Sequence, residues 1–251
     1  MKATLTIDQG NSYAKATLFF GDKPEKRVRA ATMSLQDIVR MTAGIHIDGV
    51  IYCSVGGDGR SDLPAHLHEI SDGPAIELTP ATPVPVKIAY ATPQTLGLDR
   101  VAAAAGAAHL FPGEPLLIAD AGTALTLDAL GADATFIGGN IAPGIKLRLR
   151  ALHEYTGRLP EVSKHGDVPV FGHDTETAIR SGAIRGVAAD IAAAYSAAAN
   201  EYGATRIVLT GGDAETIEPF IHELIPEASV QRISSLVPIG LNRILYYNEN
   251  I

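Results

Sequence analysis

Two short turns hold residues whose types and spacing suit the holding of phosphate. Asp8-Gln9-Gly10-Asn11-Ser12-Tyr13-Ala14-Lys15 follows the run ATLTI, and Asp120-Ala121-Gly122-Thr123-Ala124-Leu125-Thr126 follows PLLIA. An aspartate closing a buried strand is costly unless something pairs with it. The glycine frees the backbone for a tight turn whose successive N–H groups can face phosphate oxygens. Asn11, Ser12 and Thr123 add short donors, and Lys15 lies on the returning strand, where it could reach a phosphate. Either turn alone is also a plain hairpin with common turn residues. The pair is harder to explain that way, because unrelated hairpins give no reason for both to keep the aspartate.

Three further segments carry chemistry or a simpler alternative. In Gly97-Leu98-Asp99-Arg100, just before an alanine-rich helix, Asp99 reads as a helix N-cap worth about 1 kcal/mol. It also reads as a general base for a substrate hydroxyl, with Arg100 holding an anionic group through its bidentate fork. Taken alone, those four residues favour the cap. Gly138-Gly139-Asn140-Ile141-Ala142-Pro143-Gly144 is either a flexible connection or a place where backbone and a helix N-terminus approach a ligand. Thr210-Gly211-Gly212-Asp213 is a strand-to-helix turn that could border an adenosine. Other nucleotide solutions are missing: no G-x-x-x-x-G-K-[ST] loop, no G-x-G-x-x-G opening a helix after a strand, and no H-R-D. His66 and His68 are spaced poorly for sharing a metal, no Cys/His zinc pattern exists, and Cys53 reads as a small core residue.

The elements that must position these residues repeat one plan. Strands are predicted over 3–8, 13–20 and 26–30, then a helix over 34–41 capped by Ser34, then a buried strand over 49–54. The second half restarts with strands over 115–120, 125–130 and 134–137 and a helix from Pro143-Gly144 to about Tyr155. A strand over 206–210 feeds a helix from about Ala214, and an alanine-rich helix covers 177–200. The proline-bearing segment 78–93 reads as extended surface chain. This predicts an α/β fold of two similar halves, each a mixed sheet with helices, facing a ligand cleft. The division falls at 110–114, giving halves 1–112 and 113–251.

Composition limits the classes. The chain is 46% apolar and 19% charged over 251 residues, ordinary for a globular protein with a real core. No run of about 18 apolar residues predicts a membrane span. The first residues lack a signal-peptide pattern, and the single cysteine excludes an internal disulfide framework, so a reducing cytoplasm is the expected compartment. The formal net charge is −8 without a basic cluster, which argues against nucleic acid as a partner.

Taken in order, D-x-G-N-S-x-x-K, G-x-D-R, D-x-G-T-A-x-T and G-G-x-I-x-P-G resemble the type III pantothenate kinases, over nearly the whole chain. Ser12 stands where threonine is common in that family, and the hydroxyl is kept. The resemblance implies RNase H-like halves of the actin-like ATPase kind, and ATP-dependent phosphorylation of pantothenate to 4′-phosphopantothenate, the entry to coenzyme A. It implies that Asp8, Gln9, Gly10, Asn11, Ser12, Tyr13, Ala14 and Lys15 hold the ATP phosphates, with Asp8 near a divalent metal (Mg²⁺ with ATP), and that Thr123 contacts ATP. Asp99 would be the base; Tyr90, Gly97, Leu98, Arg100 and Thr175 would line the pantothenate pocket. Asp120 would bind a monovalent cation, potassium or ammonium. A homodimer completing the pocket across its interface would give the helix near Ala183 to Ala199 a role. The alternatives are another small-molecule kinase of the superfamily, against which G-L-D-R argues, and a regulatory accessory factor, against which Asp8, Asp99 and Asp120 argue.

Overall fold

The computed structural model describes residues 1–10, 13–55, 62–203 and 205–249, so Asn11 and Ser12 lie outside the described residues. Its strands are β1 (Ala3–Gln9), β2 (Ala14–Phe20), β3 (Lys23–Ala30), β4 (Gly49–Ser54), β5 (Ala75–Glu77), β6 (Lys87–Ile88), β7 (Leu116–Ala121), β8 (Ala124–Leu130), β9 (Thr135–Pro143), β10 (Arg206–Thr210) and β11 (Ser229–Arg232). Its α-helices are α1 (Leu35–Met41), α2 (Leu67–Ile70), α3 (Leu98–Leu110), α4 (Ile145–Glu154), α5 (Thr175–Tyr202), α6 (Ala214–Leu224) and α7 (Leu236–Glu249). They form two compact units: Met1–Gly113 with Asp133–Phe136 and Ser235–Ile251, and Glu114–Ala132 with Ile137–Ser234.

In the first unit the sheet order is β3-β2-β1-β4-β5. β1, β2 and β3 run antiparallel, whereas β4 joins β1 and β5 joins β4 in parallel. Side chains alternate across a pleated strand. Leu5 and Ile7 of β1, with Val50 and Tyr52 of β4, therefore face a core completed by Ile38, Met41, Leu63 and Leu67. Thr4, Thr6 and Asp8 take the opposite face, where α7 packs on β1 and the Thr4 hydroxyl donates to Asn242 Oδ1 at 2.5 Å. Asn242 is fully buried, and its amide also donates to the Gly21 carbonyl at 3.0 Å. A buried amide satisfied on both sides fixes where α7 lies on the sheet.

The second unit repeats that order. Its strands run β11-β10-β7-β8-β9, with β7 and β8 antiparallel and β10 joining β7 in parallel. Leu117, Ala119 and Ala121 of β7 face a core with Ile145, Leu149, Ile184, Ile217 and Ile221, which places α4, α5 and α6 on that side. The α/β fold of two mixed sheets agrees with the sequence expectation.

Three details differ from that expectation. A boundary at 112/113 assigns the C-terminal helix to the second half, whereas Ser235–Ile251 packs within the first unit. The cause is a close helix crossing: α3 presents Ala102 to Ala107 as a buried run of small residues, and α7 meets it at Gly240. A β-carbon at Gly240 would run into the Ala102 carbonyl. Next, β9 continues through Gly138 and Gly139 to Pro143, so α4 starts at Ile145 with Gly144 as its N-cap. Finally, the segment 78–93 is extended but buries Leu78 and Val86, and its Lys87–Ile88 pair in parallel with Thr135–Phe136.

The crossing of α3 and α7 yields a stability prediction. Overpacking a core costs about 1–3 kcal/mol, more when rigid backbone is the obstacle. Gly240→Ala is expected to destabilise the protein by about 3 kcal/mol or more, read from thermal unfolding. A melting temperature equal to the parent's would contradict the close crossing.

Candidate active site

Asp8 ends the Thr4-Thr6-Asp8 row, buried on the α3 and α7 side of the first sheet. In the antiparallel register Lys15 stands directly opposite, with Nζ 3.6 Å from Asp8 Oδ2. On the other side Asp8 pairs with Cys53 of β4. The turn between β1 and β2 closes with Gly10 N donating to the Tyr13 carbonyl at 3.1 Å. Gln9 and Ala14 are buried, while Tyr13 is half exposed with the Arg29 guanidinium 3.6 Å over its ring.

Asp99 does not cap α3. Gly97 is the N-cap, Leu98 opens the helix, and Asp99 lies in the first turn. Its Oδ1 accepts a hydrogen bond from its neighbour's amide, Arg100 N, at 2.9 Å. A β-carbon at residue 97 would stand 2.7 Å from that Oδ1, so glycine there leaves the carboxyl room to fold back. The capping interpretation is thereby set aside.

Electrostatics join these groups. Burial raises the pKa of Asp8; Lys15 opposes the rise and the charge of Asp99 adds to it. Burial also raises Asp99, against its bonds to the Arg100 amide and the charges of Arg100 and Lys15. The Cys53 thiol is pushed well above its ordinary value by burial, then by Asp8 and Asp99. Desolvation disfavours the charged form of each, and here it outweighs the favourable partners. Asp8, Lys15, Cys53 and Asp99 thus form one coupled group in the first unit. A carboxyl kept out of water with a raised pKa is suited to take a proton near neutral pH.

Arg100 is buried, its guanidinium carbon 5.8 Å from the centroid of the Tyr90 ring and 5.6 Å from that of Phe136. The two rings meet edge to face, with centroids 6.0 Å apart and planes at 73°. Phe136 escaped the sequence reading, because an apolar residue within a predicted strand carries no mark other than core. Its pairing with β6, which leads into Tyr90, depends on a partner 48 residues away that periodicity cannot reveal.

In the second unit Asp120 lies near the end of β7, opposite Thr126 of β8 in the register. Two other glycine segments converge on this turn. Gly144 N donates to the Thr123 carbonyl at 3.2 Å, and a β-carbon at Gly144 would stand 2.7 Å from that oxygen. Gly211, at φ +95°, leaves no room for a β-carbon beside Asp120 Oδ1, and Asp213 N donates to the Ala121 carbonyl at 2.9 Å. The Gly138–Gly144 and Thr210–Asp213 segments therefore belong with the Asp120 turn. Thr123 is exposed beside them. Thr175 is also in this unit, exposed as the first residue of α5 after the N-cap Asp174, and so lies in a different unit from Tyr90 and Arg100.

Comparison with known proteins turns this geometry into a family. The type III pantothenate kinase family model matches residues 4–197. A type III pantothenate kinase of Phocaeicola vulgatus is 39% identical over 247 residues, covering 98% of this chain and 99% of that protein. That of Porphyromonas gingivalis is 36% identical over 255 residues, covering 99% and 100%. Among solved structures, the ROK hexokinase from Thermus thermophilus matches with TM-score 0.57 and 14% identity, covering 98% of this chain and 99% of that one. The activator of the 2-hydroxyisocaproyl-CoA dehydratase from Clostridium difficile matches with TM-score 0.56 and 12% identity, covering 99% and 96%. Those two likenesses establish the fold, and the matches over nearly the full length establish the relationship: the chain belongs to the type III pantothenate kinase family.

Proposed function

We propose that this protein transfers the γ-phosphoryl group of ATP to the primary hydroxyl of pantothenate, giving 4′-phosphopantothenate and ADP, with Asp99 as the base. The observation that carries this reading is a buried carboxyl of raised pKa, placed in the first turn of α3 beside Asp8 and Lys15. Phosphoryl transfer demands little covalent chemistry of the protein, so positioning and charge stabilisation carry most of the rate. Asp99 accepts the hydroxyl proton as the oxygen attacks the γ-phosphorus and the bond to the bridging oxygen of ADP breaks. Lys15 and the backbone of residues 8–14 hold phosphate oxygens. Tyr90, Gly97, Leu98 and Arg100 line the pantothenate pocket, with the Arg100 guanidinium matched to the substrate carboxylate.

Cations fit the donors present. Among the described residues no group of three or more His, Cys, Asp or Glu side chains is arranged to hold a metal ion alone. Magnesium arriving with ATP suits this, because it keeps waters and phosphate oxygens and needs only one or two carboxylates, here Asp8. Asp120 Oδ1 and the Ala121 carbonyl both border the space beside Gly211, and a carboxylate among turn oxygens suits a monovalent cation beside the phosphates contacted by Thr123. A second copy of the chain would complete the substrate site with Thr175. In its favour is an apolar groove of about 660 Å³ lined by Leu147, Ala151, Leu152, Tyr155, Gly182 and Ala183, with Tyr155 85% exposed.

Four outcomes test this reading. Asp99→Asn is expected to lower pantothenate-dependent ADP release by about 10²–10⁴-fold, the usual contribution of a placed base. The sign of its stability effect is opposite. A folded-state pKa raised above the unfolded one means the aspartate contributes stability only at low pH, lost as pH rises through the folded value. The asparagine variant should therefore melt higher than the parent at pH 7, with the gain vanishing near pH 4. Unchanged turnover, or parent turnover on a sugar or simple carboxylic acid in place of pantothenate, would contradict the reading. Asp120→Ala should lose activation by potassium or ammonium, and an unaltered cation dependence would remove it from that site. Sedimentation of the parent should give a dimer at assay concentrations; a monomer with full activity would exclude a site shared between copies.

A further inference from the structure

The Arg100 guanidinium does not stand alone in its pocket. It lies against two aromatic rings, Tyr90 and Phe136, and both centroids are within the roughly 6 Å over which a ring attracts a cation. Phe136 is fully buried and has no polar atom, so it cannot itself hold a carboxylate. It touches both of its neighbours, however: the edge-to-face contact orients Tyr90, and the cationic contact orients Arg100. The backbone repeats the link, since Ala89 N donates to the Phe136 carbonyl at 3.0 Å and Lys87 N to the Ala134 carbonyl at 3.0 Å. The chain segment ending in Tyr90 is therefore tied to Phe136 through main chain and ring alike.

We infer that Phe136 is a positioning residue for substrate recognition, which holds the Arg100 guanidinium and the Tyr90 ring in the arrangement that receives the acid end of pantothenate. The inference rests on the assignment of Tyr90 and Arg100 to that pocket. An arginine side chain has several rotatable bonds, and ordering it on binding costs affinity. A ring that already fixes its guanidinium removes part of that cost before substrate arrives. A plain core role predicts something different: loss of packing would lower stability and affect both substrates alike.

The test compares Phe136→Leu, which keeps apolar bulk without the ring, with Phe136→Tyr, which keeps the ring. KM for pantothenate should rise about tenfold in Phe136→Leu, the scale of a desolvated cation–ring contact. KM for ATP should stay within about twofold of the parent, and Phe136→Tyr should recover most of the loss. The effect of Arg100→Lys on pantothenate KM should shrink in the Phe136→Leu background, because the two residues act as a unit. Should the leucine variant fail to fold, Phe136→Met carries the same comparison. An unchanged pantothenate KM, or equal rises for both substrates with additive effects, would overturn the positioning role. If Arg100→Lys alone leaves pantothenate KM at the parent value, the pocket assignment is what has failed.

Discussion

Asp8 and Asp99 are withheld from water beside one lysine, and much of the first unit exists to keep them there. Burial raises both carboxyls, and the charge of Asp99 adds to the rise at Asp8. Lys15 offsets part of this from directly across the β1–β2 pair, with Nζ 3.6 Å from Asp8 Oδ2. The charge of Asp99 thus adds to the cost of ionising Asp8. A raised pKa makes Asp99 the stronger base, which the role proposed for it requires.

The scaffold explains how that arrangement is sustained. Asp8 is placed by strand alternation, and Asp99 by the helix that starts beside it. The helix is held in turn by α7, whose Gly240 admits the backbone of α3 and whose Asn242 binds Thr4 and Gly21. The last residues of the described chain therefore help to locate a carboxyl near residue 100. In the second unit, by contrast, the turn at Asp120 is crowded by Gly144 and Gly211 and is answered by Thr126. The same strand order recurs in both sheets, yet the first sets Lys15 opposite its aspartate and the second sets Thr126 there.

Much of this was legible in the chain because the determinants are local. Strand, glycine turn and returning strand announce themselves by alternation and turn chemistry, and Ser34 caps α1 as read, with Asp37 completing the capping box. The terminal helix and Phe136 were hidden for one shared reason: each takes its meaning from a partner far away in sequence. Leu236–Glu249 is apolar enough to join either half, and the small residues of α3 and the Thr4 and Gly21 partners of Asn242, which decide which, lie far away in sequence. Asp99 was ambiguous for a different reason. A carboxylate at the start of a helix has the same sequence signature whether it caps or acts, and only the backbone, with Gly97 as the cap, removes the capping reading.

The ionisation of Asp99 is central to the site and can be measured directly. With ¹³C-labelled aspartate, the Asp99 carboxyl resonance can be assigned by its absence from the Asp99→Asn spectrum and followed through a pH titration of the parent. A midpoint clearly above the ordinary aspartate value of about 3.9 is the predicted result. A midpoint at or below that value would contradict the claim that burial governs this carboxyl.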